Sequence, residues 1–296
     1  MFSAGQNKVF STNKTLNIGG RLLTLDVPLV MGILNVTPDS FFDGGKFTDE
    51  TSLLKRVEQM IAEGAAIIDI GGYSSRPGAA DVPAHEEARR VIGALRLIRN
   101  QFKEVILSVD TFRSSIASQA INEGADMIND ISGGELDPAM IETVATLKAP
   151  YTCMHMKGTP QTMNALATYD NLLSEITGWF AAKIDVLQKA GVNDIILDPG
   201  FGFAKTVSQN FELLSNLQLL TPLGKPLLVG LSRKSMIWRA LHTTPDHALN
   251  GTTALNMVAL LKGASLLRVH DVKEAVEGIT LFSHLRSATA LPAGGV

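Results

Sequence analysis

Eight short apolar runs recur along this chain, spaced so that a helix fits between each pair, and that rhythm limits the folds open to it. The runs are VMGILNV, AIIDIGG, VILSVDT, DMINDIS, YTCMHM, DIILDPG, LLVGLS and LLRVHD. Each is apolar along nearly its whole length, as suits a strand buried on both faces. Between them the apolar residues switch to helical spacing, in TDETSLLKRVEQMIAEG, VPAHEEARRVIGALRLIRNQF, FRSSIASQAINEG, LDPAMIETVATLK, NLLSEITGWFAAKIDVLQKAG, VSQNFELLSNLQLL, DHALNGTTALNMVALLKG and VKEAVEGITLFSHL. Alternating β and α units of this kind belong to the α/β class and predict a single (β/α)8 TIM-type barrel, with an open doubly wound sheet as the alternative. No GxGxxG follows the first run and no linker rich in Gly, Pro or Ser divides the chain, which favours one domain.

Ahead of the first run, TLNIGGRLLTLDVP (residues 15 to 28) alternates around two glycines and predicts a short β-hairpin, placed to cap one end of the larger fold. The expected organisation is an N-terminal segment with that hairpin over 1–27, the barrel over 28–285 and a frayed C-terminal tail over 286–296. A length of 296 residues suits one such barrel. With a net charge of −3 and 26 dispersed Lys and Arg, the chain carries no nucleic-acid or membrane-surface footprint, so small-molecule ligands are favoured. The lone cysteine, Cys153, excludes an internal disulfide and reads as a small buried hydrophobe. The N-terminus lacks the apolar core of a signal peptide and no run is long enough to span a bilayer, so a cytoplasmic location is expected.

Nearly every run ends on a polar residue where it meets the following loop: Asn35, Asp69, Asp110, Asn129, Asp130, His155, Asp198, Ser232 and His270. In a parallel barrel those ends converge on the C-terminal mouth, where active sites are built. A strand-end Asp or Asn more often serves a turn or cap, but eight such ends on one rim point to a ligand. Asp110, Asn129, Asp198 and Lys234 together offer acceptors, an amide and a cation, able to read a flat heterocycle with an amino-oxo edge. Asp69 reads as structural, because its run continues through IGG.

A second set suits anions. Arg76, Arg268, His270 and the hydroxyls of Ser74 and Ser75 can hold phosphate, and Arg268 and His270, two apart on the last strand, point the same way. An ion pair of that Arg with Asp271 or a neighbouring carboxylate is the plainer reading. Asn35 can ligate a hard cation such as Mg²⁺ through its amide oxygen. SRKSMIWRAL starts a helix at about Ser235, a residue that either caps it or meets an anion. In DPGFGF the glycines allow a close turn, while Phe201 and Phe203 supply either core or aromatic surface.

With those residues in place, the chain closely resembles the bacterial dihydropteroate synthase family over nearly all of 27–285. The matching segments are GILNVTPDSFFDGG, DIGGYSSRPGA, VDTFRSSIA, MINDISGG, MHMKGTP, LDPGFGF, GLSRKS and RVHDV, one per strand end and in family order. The resemblance implies condensation of (7,8-dihydropterin-6-yl)methyl diphosphate with 4-aminobenzoate to dihydropteroate and pyrophosphate, in an SN1-like reaction with Mg²⁺. It implies pterin contacts at Asp110, Asn129, Met156, Asp198, Phe203, Lys234 and Arg268. On the pyrophosphate side it implies Asn35, Ser75, Arg268 and His270, with Asn35 beside the metal. For 4-aminobenzoate it implies Ser235, completed by Phe41, Arg76 and Pro77 in loops. Of these, Asp110, Asp198, Lys234, Arg268 and His270 are expected to carry the catalytic charge stabilisation. The family likeness also implies a homodimer and a sulfonamide target.

The second loop departs from the family's more usual GESTRPG, with Tyr73 in place of the Glu and Ser75 in place of the Thr. Two other readings fit parts of the pattern. A pterin-using methyltransferase shares the barrel and the ring-binding Asp/Asn set but has no need of Asn35 or of the Arg268/His270 pair. A catalytically silent pterin-binding protein would be expected to lose Arg268, His270 or Lys234, all of which are present.

Overall fold

A computed structural model describes residues 15–36, 47–73 and 81–289. The chain opens with the expected hairpin, β1 (Thr15–Ile18) and β2 (Arg21–Thr24). Gly19 and Gly20 take φ of +56° and +90°, the left-handed pair that a two-residue turn between twisted strands requires. The backbone N–H of Asn17 donates to Asp194 Oδ1 at 3.0 Å, tying the hairpin to the foot of the barrel.

Eight strand-and-helix units follow. In chain order they are β3 (Leu29–Asn35), α1 (Phe47–Ala62), β4 (Ile67–Gly71), α2 (Ala84–Gln101), β5 (Ile106–Asp110), α3 (Ser114–Asn122), β6 (Met127–Asp130) and α4 (Met140–Leu147). Then come β7 (Tyr151–Met154), α5 (Leu172–Ala190), β8 (Ile195–Asp198), α6 (Val207–Ser215), β9 (Leu228–Val229), α7 (Ser235–Ala240), α8 (Leu249–Leu261), β10 (Leu266–Val269) and α9 (Val272–Thr289). The strands pair in parallel in the order β8-β7-β6-β5-β4-β3-β10-β9. A parallel bridge between Leu197 and Leu227, with Leu197 N–H donating to Pro226 O at 2.9 Å, closes the ring. The barrel is the α/β architecture that the runs predict. No helix among the described residues is long and apolar enough to cross a membrane.

Alternation along the strands sorts their side chains. Val30, Leu34, Ile68, Ile70, Leu107, Val109 and Ile128 face outward and pack on the helices in the main core. The residues between them face the barrel axis. At the base the interior is filled by Met31, Ile67, Met127, Ile196, Leu228 and Leu266, against which Leu16, Ile18 and Leu25 of the hairpin segment pack. The hairpin therefore plugs the N-terminal end, as its position predicts. Each such side chain withdrawn from water stabilises the fold by about 1.5–3 kcal/mol before ordering costs.

VSQNFELLSNLQLL does not form one helix. α6 ends at Ser215 and the chain continues as a 3-10 segment, Leu217–Leu223, that contains Pro222. A proline cannot donate to the preceding turn and restricts the residue before it, so the α-helix gives way ahead of it. The last helix runs on to Thr289, past Arg286, with Ser287 Oγ donating to Ser283 O at 3.0 Å.

Candidate active site

The register of the sheet sets Asn35, Gly71, Asp110 and Asn129 side by side on adjacent strands, toward the C-terminal mouth. Gly71 and, across the barrel, Gly230 occupy inward positions without a side chain. A Cβ at Gly71 would lie 3.6 Å from Asp110 Cβ and 3.7 Å from Asn35 Oδ1, and one at Gly230 would lie 3.8 Å from Lys234 Nζ. The rim is left open between its polar groups.

One half of the mouth is organised by Arg268. Its Cα sits deep, opposite Met31, and its long side chain climbs the interior. Nε donates to Asp69 Oδ2 at 2.6 Å and an Nη donates to Asp110 Oδ2 at 2.6 Å. Asn129 Nδ2 donates to the same Asp69 Oδ2 at 2.9 Å, while Asp69 Oδ1, fully buried, has no partner among the described residues. The ion pair of Arg268 is thus with two neighbouring carboxylates and not with Asp271, which pairs with Arg233 at 2.6 Å. One cation between two carboxylates leaves excess negative charge in a largely buried site. Burial pushes Asp110 up to about 7 against the pull of Arg268, with Asp69 adding to the rise.

The other half is built on the DPGFGF turn. Asp198 Oδ1 accepts from the Gly200 N–H at 2.8 Å. Gly200 has φ of +71°, and a Cβ there would fall 2.0 Å from the His155 carbonyl oxygen, so only glycine fits. Burial raises Asp198, with Lys234 the main opposing influence. Lys234 Nζ donates to the Phe201 carbonyl and lies 4.8 Å from the centre of the Phe203 ring. Burial draws Lys234 down to about 8 while Asp198 holds it up. Arg233, at φ of +56° and fixed by Asp271, makes the sharp step between β9 and α7 that presents Lys234 to this site.

Met156 is buried with Ile131, Met154, Met163 and Ala204, and Phe203 and Phe112 pack on that cluster, giving the mouth one apolar wall. Phe201 is fully buried in the outer core, so the two phenylalanines of DPGFGF have separate roles. On the opposite side His270 Nδ1 lies 2.9 Å from Ser232 Oγ, and Arg56 donates to the His270 carbonyl at 2.7 Å. Ser235 is the first residue of α7; Lys234 holds the N-cap position without a side-chain capping bond, so Ser235 is not the cap. The two halves together offer polar groups for the edge of a flat ring and an apolar wall for its face.

Compared with known proteins, the chain matches the pterin binding enzyme family over residues 31–270. It is 43% identical over 271 residues to the dihydropteroate synthase of Escherichia coli K12, covering 91% of this chain and 95% of that one. To the Synechocystis dihydropteroate synthase it is 46% identical over 247 residues, 82% of this chain and 85% of that one. The chain belongs to the dihydropteroate synthases. Its fold matches the Yersinia pestis dihydropteroate synthase solved with a sulfonamide drug at a TM-score of 0.86 and 41% identity, over 92% of this chain and 99% of that one. It matches the Xanthomonas albilineans enzyme with 4-aminobenzoic acid at 0.85 and 39%, over 94% and 99%.

Within this dihydropteroate synthase fold, Asp110, Asn129, Asp198, Lys234, Arg268, Met156 and Phe203 meet at one mouth, with Asn35 and His270 on its rim. Phe41, Ser74, Ser75, Arg76 and Pro77 lie outside the described residues. Two strand-end residues turn away. Asp130 follows inward-facing Asn129 and so faces out, accepting from Ser132 N–H at 2.7 Å, Gly134 N–H at 2.8 Å and Tyr151 O–H at 2.6 Å. His155 packs edge-on to Trp179, 5.1 Å between ring centres, and burial brings it down to about 2, so its imidazole is neutral. Cys153 is buried, and burial raises its thiol far above the ordinary range.

Two residues that the sequence reading left out of the ligand set belong to the site. Asp69, read as structural, orients both Arg268 and Asn129. Lys205 underlies the DPGFGF turn, its Nζ donating to Gly200 O at 3.0 Å and Phe203 O at 3.1 Å and lying 3.2 Å from His155 Nδ1.

Proposed function

We propose that the chain condenses (7,8-dihydropterin-6-yl)methyl diphosphate with 4-aminobenzoate, releasing pyrophosphate and dihydropteroate for folate biosynthesis. The observation that carries this reading is the convergence of Asp110, Asn129, Asp198 and Lys234 on one open mouth beside the Met156/Phe203 wall, in a chain 43% identical to a dihydropteroate synthase. A dihydropterin presents amino and ring N–H donors on one edge. Asp198 and Asp110 accept from them, Asn129 reads both donor and acceptor, and Lys234 donates to a ring acceptor. Met156 and Phe203 cover the ring face, and Arg268, held by Asp69 and Asp110, borders it.

Asn35, Ser75, Arg268 and His270 take the diphosphate, and Ser235 with Phe41, Arg76 and Pro77 takes 4-aminobenzoate, the ligand of the Xanthomonas albilineans relative. The sulfonamide complex of the Yersinia pestis relative supports the same pocket as a sulfonamide target. An aniline nitrogen is a weak nucleophile, so the enzyme gains most by stabilising the departing diphosphate and the pterin cation left behind, an SN1-like course. Arg268 and His270 serve the first and the carboxylates Asp110 and Asp198 the second. No side-chain nucleophile takes part.

Asn35 supplies a single amide oxygen at the rim, and among the described residues no three acidic, His or Cys side chains are grouped around a metal site. That donor chemistry suits Mg²⁺, which takes substrate phosphate oxygens and waters as its other ligands. Bound there it would neutralise charge on the leaving diphosphate. A homodimer is supported by exposed leucines on the last two helices, Leu261 at 62%, Leu281 at 60% and Leu285 at 54% exposure. A cytoplasmic location completes the reading.

The test is an assay of the purified chain with both substrates, with and without Mg²⁺, following pyrophosphate and dihydropteroate together. Both products are expected, and both should fall when the metal is chelated. Absence of dihydropteroate with metal present overturns the reading. Ring-substituted aminobenzoates should alter kcat little if diphosphate departure comes first; a steep dependence on nucleophile basicity excludes the SN1-like course. Sedimentation giving only monomer at micromolar concentration excludes the dimer.

A further inference from the structure

The turn that follows Asp198 closes over a buried lysine, Lys205. Alternate residues of that turn, Gly200, Gly202 and Ala204, take φ of +71°, +79° and +47°. The last of these carries a Cβ, so the left-handed step is unfavourable there and its surroundings must hold it. Three side chains do so. Tyr169 O–H donates to the Ala204 carbonyl at 2.9 Å, and Asn210 Oδ1 accepts from the Gly202 N–H at 2.7 Å. Lys205 Nζ donates to the carbonyls of Gly200 at 3.0 Å and Phe203 at 3.1 Å.

The third contact of that ammonium is His155 Nδ1, 3.2 Å away. His155 is neutral, so this nitrogen accepts, and the His155 backbone N–H donates to the Asp198 carbonyl at 3.0 Å. An ammonium has three protons and here meets three acceptors, a set that no neutral side chain can satisfy from one atom. Burial draws Lys205 down while Asp198 holds it up, and the three acceptors favour its protonated form. Both carbonyls it gathers belong to groups that line the mouth. The Gly200 N–H meets Asp198 Oδ1 at 2.8 Å, and Phe203 carries one ring of the apolar wall. The charge of Lys205 also favours the ionised, accepting form of Asp198.

We propose that Lys205 is a positioning residue for the pterin: by tying the Gly200 and Phe203 carbonyls to His155, it holds the Asp198 carboxylate and the Phe203 ring in place for the pterin edge and face. The inference rests on the dihydropteroate synthase reading, in which those two groups take the pterin. Lys205 itself touches no reacting atom. Its effect falls on binding of the pterin and not on binding of the second substrate.

The experiment is a titration of the full chain with 6-hydroxymethyl-7,8-dihydropterin, with thermal melting and steady-state KM values alongside. Lys205→Met keeps the length of the side chain and removes all three bonds, so pterin affinity should fall roughly ten- to hundredfold. KM for 4-aminobenzoate, at saturating pterin substrate, should stay within about twofold. Thr206→Ala is the control for stability: it removes the cap of α6 one residue on, so melting temperature should fall while pterin affinity holds. In an Asp198→Asn background Lys205→Met should cost less than it does alone, because it acts through that carboxylate. Should Lys205→Met not fold, His155→Phe keeps a ring against Trp179 and removes one acceptor. Pterin affinity should then fall roughly two- to tenfold.

Pterin affinity unchanged in folded Lys205→Met, or in His155→Phe where only that variant folds, overturns the proposal. So do Lys205→Met and Asp198→Asn effects that multiply in full. A parallel rise in both KM values with a drop in melting temperature marks a merely structural residue and overturns it as well. Wild-type protein that makes no dihydropteroate fails the functional reading itself, which keeps the two failures apart.

Discussion

At the base of the barrel, Leu16, Ile18 and Leu25 close the interior against Met31, Ile67, Met127, Ile196, Leu228 and Leu266, every one of them apolar. At the mouth the same strands turn inward Asp69, Asp110, Asn129, Asp198 and Arg268, with Lys234 beside them. One carboxylate oxygen there, Asp69 Oδ1, has no partner among the described residues, and two other carboxylates have raised pKa values. A chain optimised only for stability would continue the base upward, because buried ion pairs are often replaced by apolar packing without loss. The mouth is a standing strain on the fold, which a ligand supplying the missing partners would relieve. Stability and recognition are therefore separable along the barrel axis.

The largest expected effect lies at the base. Leu16→Ala empties a fully packed position in the hairpin plug and should lower unfolding free energy by about 2–5 kcal/mol, set by how far the neighbours close in. Pterin affinity of the protein that remains folded should stay within about twofold. Urea unfolding and pterin titration on the same variant check both. An affinity that falls in step with stability would show that base and mouth are one cooperative unit in binding.

Asp198→Asn reverses that pattern at the mouth. The amide presents N–H₂ where the pterin edge requires an acceptor, and a hydrogen bond to a charged group is worth about 1.5–3 kcal/mol, so pterin affinity should fall roughly 10- to 150-fold. Stability should hold or rise, since an unliganded buried carboxylate is itself unfavourable. If Asp198 were only a turn residue holding the Gly200 N–H, melting temperature would fall instead and affinity would remain.

pH separates the two demands further. Asp110 is raised from 3.8 to about 7, so its contribution to stability is fully present below about pH 4 and is lost as pH rises through 7. Relative to Asp110→Asn, the ligand-free wild type should lose melting temperature between pH 6 and pH 8. Its pterin affinity should climb over the same range, because the acceptor must be ionised. A flat affinity profile would mean that Asp110 is already ionised at pH 6.

The barrel was legible because strands buried on both faces must be apolar throughout, and eight such runs separated by helical spacing leave few architectures. The hairpin was legible from Gly19–Gly20 between alternating strands. Asp110, Asn129 and Asp198 were legible as strand ends. Asp69 was counted among them but read as structural, because its run continues to Gly71 and so hides that an inward residue two positions below the rim still meets the long Arg268 side chain from two strands away. Asp130 and His155 looked equivalent to their neighbours on the rim. For Asp130 parity decides, since residues adjacent in a strand cannot both face inward and Asn129 already does. Lys205 carries no pattern at all: its part under the DPGFGF turn depends on a backbone fold that only the three-dimensional structure displays.

Between base and mouth lies a layer that belongs to neither, and it offers the smallest and sharpest test of the comparison. Thr152 faces inward, between Asn129 and Ile196 in the register, and its hydroxyl is buried without a partner among the described residues; Ser108 Oγ shares that condition. Thr152→Val keeps the branched shape and removes only the hydroxyl. A buried hydroxyl that makes no hydrogen bond opposes folding, so the variant should unfold with an unchanged or higher midpoint, a gain of up to about 1 kcal/mol. Pterin affinity should move by less than about twofold, because in the proposed function Asn129, and not its register partner Thr152, reads the ring. The midpoint in urea and the pterin titration decide it together. A loss of more than about 1 kcal/mol with affinity unchanged would extend the base's rule of packing to this layer, with the hydroxyl as a bonded member of the core. A loss of affinity with stability unchanged would instead bring the mouth one level deeper, making Thr152 part of the ligand site and moving the boundary between the two regions below it.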